Sequence, residues 1–341
     1  MQLEPVSHLS DPWAIGTVVV RNRVVLAPMS GVTDLPFRRL AHRFGAGLVV
    51  TEMIASRELV GDSGDSRRRM AQEKGVVHVV QLAGRDASWM AEAARIAEGE
   101  GADVIDINMG CPAKKVIGGY SGSALMRDPD HALSLVDATI AAVSVPVTVK
   151  MRLGWDENSI NAPAIAARAE NAGAAMITVH GRTREQFYEG RADWNAIRAV
   201  RDAISIPLVA NGDVATTADC EAIMAASGAN AVMVGRAAQG QPWLPGALAG
   251  SGLAPSSAAG ILDVVIEHYE AMLAHYGTEL GLRCARKHLG WYLGQHCGDV
   301  SAAMRSIVMG SRDPQAVIAA LSELFLGSEI SMKPTAYGEA A

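Results

Sequence analysis

Eight short apolar runs, rich in β-branched residues, recur through the first 235 residues, separated by longer Ala-rich or amphipathic segments. They fall at 24–29, 48–54, 76–82, 104–110, 147–153, 176–180, 208–213 and 231–235. Strands covered by helices on both faces are near-continuously apolar, because neither face meets water. Eight alternating βα units are the number that closes a parallel barrel, so the pattern predicts a (β/α)8 TIM barrel. A doubly wound open sheet obeys the same alternation and is the competing arrangement. Punctuation agrees with the repeat. Gly-Ala steps at 45–46, 101–102, 173–174 and 228–229 mark the returns from helix to strand, where glycine permits the left-handed turn that ends a helix. Asp34-Leu35-Pro36 and Asp128-Pro129 each place an N-cap acid before a first-turn proline.

Both ends of the chain depart from the repeat. Residues 14–20 and 24–25 flank Arg21-Asn22-Arg23 and predict a small hairpin over the barrel floor. Residues 250–257 are rich in Gly, Ser and Pro and read as a linker. Helical segments follow at 261–276, 282–295, 301–309 and 314–325 with no strand between them. The expected organisation is a catalytic barrel over 1–250, a small all-helical domain over 256–327 and a flexible tail over 328–341.

Composition narrows the class. The chain has 341 residues, is 49% hydrophobic and carries a net charge of −6, which speaks against a generally basic nucleic-acid binder and leaves any RNA to be met by local patches. Cys111, Cys220, Cys284 and Cys297 are scattered with no C-x-x-C pair, which disfavours a structural zinc site and suits a reducing compartment. No basic leader precedes an apolar stretch, and no apolar run reaches the length of a membrane span. The expectation is a cytoplasmic protein without a membrane partner, and a monomer.

In a parallel barrel, functional residues gather at the C-terminal ends of the strands. Every predicted strand here ends in polar residues: Ser30 after Pro28-Met29, Thr51-Glu52, Gln81, Asn108 to Pro112, Lys150 to Arg152, His180-Gly181-Arg182, Asn211-Gly212-Asp213 and Gly235-Arg236. A lone Lys150, His180, Gln81 or Cys111 is more often structural than functional. Eight coincident cases point to a site at one mouth. Glycines and Arg236 after the last two strands suit a phosphate, and Lys150 suits the edge of a flavin that becomes anionic on reduction.

The motif Asn108-Met109-Gly110-Cys111-Pro112 resembles the N-x-G-C-P of tRNA-dihydrouridine synthases. Residues 27–34 (APMSGVTD), Lys150-Met151-Arg152, His180-Gly181-Arg182-Thr183, Asn211-Gly212-Asp213 and Gly235-Arg236 match that family in order and spacing. Residues 286–292 (RKHLGWY) resemble the helical-domain signature of its bacterial DusB branch. The resemblance implies FMN reduced by NADPH, hydride transfer to C6 of a D-loop uracil, and Cys111 as the acid that protonates C5. Position 17 of the tRNA is the uridine the DusB likeness implies. It implies further that Pro28, Met29, Ser30, Gln81, Lys150, His180, Asn211, Gly212, Asp213, Gly235 and Arg236 hold FMN, and that Asn108 and Tyr188 meet the base. A thiol with pKa about 8.5 is protonated at neutral pH and able to donate.

The base must leave its stack to be reached, so the helical domain is expected to grip the tRNA body. Arg283, Arg286, Lys287 and His288 recur at helical spacing near Trp291 and Tyr292, while Lys114-Lys115 and Arg67–Arg69 are further phosphate candidates. For Arg67–Arg69 a plain solvated face is an equal alternative. Competing functions are a dihydroorotate-dehydrogenase-like FMN enzyme acting on a free pyrimidine and a non-catalytic RNA-binding regulatory protein. A zinc base deaminase is disfavoured, because its P-C-x-x-C is absent.

Overall fold

The computed structural model describes residues 9–327. Eight parallel strands form the barrel: β1 (Val24–Leu26), β2 in two pieces (Leu48–Val49 and Ile54–Ala55), β3 (Val79–Ala83), β4 (Val104–Met109), β5 (Val147–Arg152), β6 (Met176–His180), β7 (Leu208–Asn211) and β8 (Ala231–Val234). From β3 to β8 each strand pairs with the next in sequence, and β8 pairs with β1 through Val232 and Val24. Strand β2 closes the ring. Leu48 pairs with Val25 of β1, Ile54 pairs with Leu82 of β3, and Val50 bridges Val79. The TIM barrel is therefore borne out against the open sheet.

The expected second strand is one run, but apart from the Val50–Val79 bridge its middle leaves the ladder. There the Thr51 hydroxyl accepts the Gln81 N–H at 3.0 Å, and the Glu52 carboxylate accepts the Gly31 N–H. Side chains replace the ladder at the mouth.

Helices α1 (Leu35–Arg43), α2 (Gly64–Met70), α3 (Ala87–Gly99), α4 (Pro129–Ile140), α5 (Ala162–Ala172), α6 (Arg198–Ala203) and α7 (Thr217–Ser227) wrap the barrel. Asp34 and Asp128 cap α1 and α4 by accepting the N–H groups of Phe37 and His131. All four Gly-Ala returns have glycine at positive φ; Gly173 ends α5 at φ +109°, a conformation a side chain opposes.

The floor hairpin exists, but its turn is elsewhere. Trp13–Ile15 pairs antiparallel with Val18–Val20 around Gly16, and Val24 already belongs to β1. Trp13, Ile15 and Val20 pack with Val79, Val104, Met176 and Ala231, the first residues of four strands, and so plug the barrel bottom.

The C-terminal all-helical domain consists of α8 (Ala258–Tyr276), α9 (Thr278–His296), α10 (Ala302–Gly310) and α11 (Pro314–Leu326). Its own core includes Val265, Tyr269, Leu289, Leu293, Leu321 and Phe325. The expected tail lies outside the described residues. Among the described residues no helix is long and apolar enough to cross a membrane. The domain docks on α1: Arg43 forms a bidentate pair with Glu267, and the Tyr276 hydroxyl donates to Asp34 at 3.0 Å. Phe37 packs against the rings of His268 and His288, whose centroids are 4.7 Å apart.

Those buried histidines make the seam acid-sensitive. Burial lowers His268 to about 3, against about 6.5 in the unfolded chain. Between these values the unfolded chain binds the proton and the folded chain does not, so the stability held above pH 6.5 is lost as pH falls. The effect of one such group is about 1.4 kcal/mol per pH unit. Asp34 and Asp106, both raised by burial to about 6, act oppositely below pH 6. His268→Leu isolates the histidine. Its urea-unfolding free energy is expected to fall less than that of the wild type between pH 7.5 and 5.5, by about 1.4 kcal/mol; parallel profiles refute this.

Candidate active site

Strand side chains alternate between the two faces, and that alternation decides what lines the mouth. Ile105, Ile107 and Met109 of β4, like Val147, Val149 and Met151 of β5, are buried in the outer core among the helices. The intervening positions face inward and are polar: Gln81, Asp106, Asn108, Thr148, Lys150, Arg152, His180 and Asn211. Gln81, Asn108, Lys150, Arg152, His180 and Asn211, singled out from sequence at strand ends, therefore share the inner face of one end of the barrel.

Its deepest feature is a chain of hydrogen bonds. The Thr148 hydroxyl and the Gln81 side-chain amide both donate to the Asp106 carboxylate, at 2.6 and 2.7 Å. Gln81 Oε1 accepts from the Asn108 amide at 2.7 Å, and Asn108 Oδ1 accepts the backbone N–H groups of Gly110 and Cys111 at 3.2 and 3.0 Å. Gln81 and Asn108 are buried, each engaged at both ends of its amide. Asn108 thus caps the turn bearing Cys111, a role its sequence motif does not disclose.

Cys111 is half-buried at the end of β4. Its carbonyl accepts from both the N–H and the hydroxyl of Ser123, which folds the intervening loop back on it. Burial pushes the thiol pKa up, opposed by the Ala113 N–H, Arg152 and Lys150. Lys150 is lowered by burial, then by Arg152, to about 8, while Asp106 and Cys111 oppose the shift. Lys150 Nζ makes one hydrogen bond among the described residues, to Asn211 Oδ1 at 3.3 Å. It thereby links the β4–β5 side of the mouth to β7.

Across the chamber, β1 meets β8. The Ala27 N–H donates to Val234, and a β-carbon on Gly235 would lie 4.0 Å from that of Ala27, so the Gly235 backbone is open to a ligand. Pro28, Met29 and Ser30 follow at this corner, with the Met29 N–H held by the Thr33 hydroxyl. Gly212 adopts φ +130°, where a β-carbon would strike Ala192 and the His180 ring. The Asp213 carboxylate is taken by Arg182 in a bidentate pair at 2.9 and 2.7 Å and by the Ala192 N–H, so only its backbone is left for an anion. Arg236, 54% exposed at its side chain, touches Asp213 loosely at 3.8 Å. His180 is held well below the ordinary imidazole range by burial and by Lys150, Arg152, Arg182 and Arg236, and is neutral.

Two buried arginines carry the rim. Arg152, 1% exposed, donates to the carbonyls of Gly110, Thr183 and Phe187 at 2.8 Å each. Arg182, 2% exposed, donates to those of Glu189 and Gly190. They pin the 183–190 loop, which presents Tyr188, 43% exposed, with Arg236 4.9 Å and Arg152 5.5 Å from its ring. Both arginines stood among the strand-end residues named from sequence but were given no role there, and Asp106 was not singled out. The available signal was an acid between Ile105 and Ile107 in an apolar strand.

From the helical domain, Lys287 Nζ reaches the β1 loop, 3.0 Å from where a β-carbon on Gly31 would stand. Arg283 is exposed and Arg286 half-buried. His288 and Tyr292, expected on the same RNA-facing side, are buried in the seam instead. Arg67 pairs with Asp62 and Glu100, Arg68 with Asp65, and Arg69 with Asp65 and Glu52, which favours the surface-pair reading of that run. Lys114 and Lys115 are exposed on the one-turn helix Lys114–Ile117 beyond Cys111.

The chain is similar to known proteins over nearly its full length. The family model described as Dihydrouridine synthase (Dus) matches residues 25–326. A protein of Rhizobium leguminosarum bv. phaseoli named "Probable tRNA-dihydrouridine synthase" is 64% identical over 302 residues, 89% of this chain and 95% of that protein. The "tRNA-dihydrouridine synthase B" of Xanthomonas axonopodis pv. citri is 44% identical over 334 residues, 96% of this chain and 99% of that protein. Among solved structures, histamine dehydrogenase from Rhizobium sp. 4-9 matches with a TM-score of 0.56 and 15% identity, over 77% of this chain and 50% of that one. Morphinone reductase matches with a TM-score of 0.52 and 16% identity, over 75% of this chain and 94% of that one. At such identities these structures bear on the fold alone. The family model and relatives, together with the barrel and the ordered motifs around its mouth, establish that the chain belongs to the dihydrouridine synthase family, with the DusB-like branch expected from its motifs among its relatives.

Proposed function

We propose that this protein reduces the 5,6 double bond of a D-loop uracil in tRNA, at uridine 17, with FMN as cofactor and NADPH as reductant. The observation that carries the reading is the shared mouth: the Cys111 turn stands at the same barrel end as the open Gly235 backbone and Arg236, with Lys150 between them. The residues fit a flavin phosphate and ring. The Lys150 ammonium has three N–H groups and, among the described residues, one hydrogen bond. Arg236 is exposed and loosely paired.

In this reading Pro28, Met29, Ser30, Gln81, Lys150, His180, Asn211, Gly212, Asp213, Gly235 and Arg236 hold FMN. Gln81 acts from beneath and Asp213 through its backbone. Bound in its reduced form, FMN supplies the hydride for C6 of the uracil. The Cys111 S–H bond breaks as the C5–H bond forms, which leaves a thiolate beside Lys150 and Arg152 until solvent returns the proton. Asn108 offers its remaining N–H to the base edge, and Tyr188 offers a ring face. Arg283, Arg286 and Lys287 meet the tRNA backbone, so binding weakens with salt. We divide the chain as a catalytic barrel over 1–250 and a tRNA-binding helical domain over 256–327, acting as a monomer in the cytoplasm.

The test is a map of dihydrouridine in tRNA from cells with and without the protein, alongside the absorbance of the purified protein. Loss of one D-loop dihydrouridine and a yellow, flavin-bearing protein are expected. An unchanged map, or a protein that stays colourless after FMN is added, overturns the proposal.

A further inference from the structure

We infer that Asp106 is a positioning residue for the proton donor: through Gln81 and Asn108 it fixes the direction of the hydrogen bonds that hold the backbone of Cys111. The inference rests on the reading of Cys111 as that donor. Asp106 itself lies on the inner face of β4, 4% exposed and below the mouth.

The argument is one of hydrogen-bond polarity. A side-chain amide can be turned end for end at little steric cost, since its oxygen and nitrogen are alike in size. An ionised carboxylate only accepts. With Asp106 accepting from Thr148 and from Gln81, the Gln81 nitrogen must point down and its oxygen up. That oxygen obliges Asn108 to present its nitrogen to Gln81 and its own oxygen to the Gly110 and Cys111 N–H groups. Reversing any member would face donor with donor at the next joint. A buried donor left unmet is costly, so the chain holds one direction. Asp106 is thus the lower terminus of a chain whose upper terminus is two backbone N–H groups, and its acceptor-only oxygens hold both amides in the direction those N–H groups require, three joints from the sulfur-bearing residue. Burial raises its pKa to about 6, leaving it ionised at pH 8.

Asp106→Asn keeps the shape but can turn an N–H toward the Gln81 amide nitrogen, which sets donor against donor at that joint and loosens the chain above it. Thr148→Val removes the other donor to Asp106 and leaves the Gln81 joint, so it reports on the loss of a hydrogen bond to Asp106 outside the chain that leads to Cys111. Alkylation by iodoacetamide at pH 8, in protein without tRNA, is followed on the Cys111 peptide with the half-buried Cys284 as reference. In Asp106→Asn the Cys111 rate is expected to rise several-fold relative to Cys284. The kcat for tRNA reduction should fall about tenfold, the equivalent of about 1.4 kcal/mol, with KM for tRNA within about twofold. Thr148→Val should leave the ratio of Cys111 to Cys284 rates and kcat at the wild-type level. Should Asp106→Asn not fold, Gln81→Met removes the middle joint, and the same rise in Cys111 alkylation is expected.

Wild-type alkylation in Asp106→Asn or Gln81→Met overturns the inference. So does a Thr148→Val protein that matches Asp106→Asn in both measurements. Because alkylation needs neither tRNA nor turnover, it tests positioning even if Cys111→Ala retains tRNA reduction, the result that would remove Cys111 as donor.

Discussion

A Cys111→Ala protein is expected to keep its flavin and to oxidise NADPH with an artificial acceptor at the wild-type rate, yet to reduce tRNA about 10³-fold more slowly. That loss is in the middle of the range for a positioned general acid. The separation follows from where the residue sits. Cys111 caps no helix and fills no core; its turn is held by backbone joints to Asn108 and Ser123, which an alanine retains. Its pH signature is equally specific. Only the protonated thiol can donate, and burial has pushed the pKa of this thiol above its ordinary value against the pull of Lys150 and Arg152. Wild-type tRNA reduction should therefore hold through neutral pH and fall as the medium passes into the alkaline range where the thiol ionises. The residual activity of Cys111→Ala should lack the thiol's part of that fall and keep only the limb that Lys150, lowered to about 8, sets in both proteins. A variant that retains tRNA reduction, or a pH profile identical to that of the wild type throughout the alkaline range, sinks the assignment of the acid.

The barrel was legible because each strand had to be apolar outward over several residues, and the returns needed glycine at positive φ. What escaped were places where side chains do the work of backbone. Strand β2 opens between its two pieces because Thr51 and Glu52 use their own oxygens to satisfy neighbouring N–H groups. A run of apolar letters does not report that. The hairpin turn was misplaced for a related reason. Arg21 and Asn22 have the polarity of a turn, yet they tie the floor to the end of α1, with Arg21 donating to Ala46 and Asn22 to Gly45. The true turn at Gly16 is marked by a single residue.

At the site, residue types at strand ends were readable and their pairings were not. Period-two alternation turns Gln81, Asn108, Lys150, His180 and Asn211 inward. Which atoms meet depends on the stagger between strands, a property of the closed ring that no single strand carries. The sequence therefore offered Gln81 and Asn108 as ligand contacts, and the register first joins them to each other and to Asp106. His288 shows the converse. Helical spacing put it beside Arg283 and Lys287, but α9 is wedged against Phe37 and His268, and the ring is buried. A helix packed on more than one side offers no single exposed stripe.

Arg152→Met is expected to lower kcat/KM for tRNA by at least about 100-fold, the equivalent of about 2.7 kcal/mol, with Arg152→Lys recovering little. The guanidinium is buried with no carboxylate as its hydrogen-bond partner among the described residues; three carbonyls compensate it, one behind Cys111 and two in the loop that carries Tyr188. It is the physical tie between the proton-donor turn and the aromatic rim, and it lends positive charge to both the thiol and the Tyr188 ring. Burial lowers it to about 10, so it stays charged at neutral pH. Methionine fills similar volume but leaves the three carbonyls without donors. Lysine restores the charge, yet one ammonium cannot span carbonyls that a planar fork reaches in different directions. The two loops should then move independently, which limited proteolysis within 183–190 and alkylation of Cys111 would both report. An Arg152→Lys enzyme with wild-type kcat/KM would show that charge alone is needed. An Arg152→Met enzyme that loses only thermal stability would show that the tie is structural and plays no part in reduction.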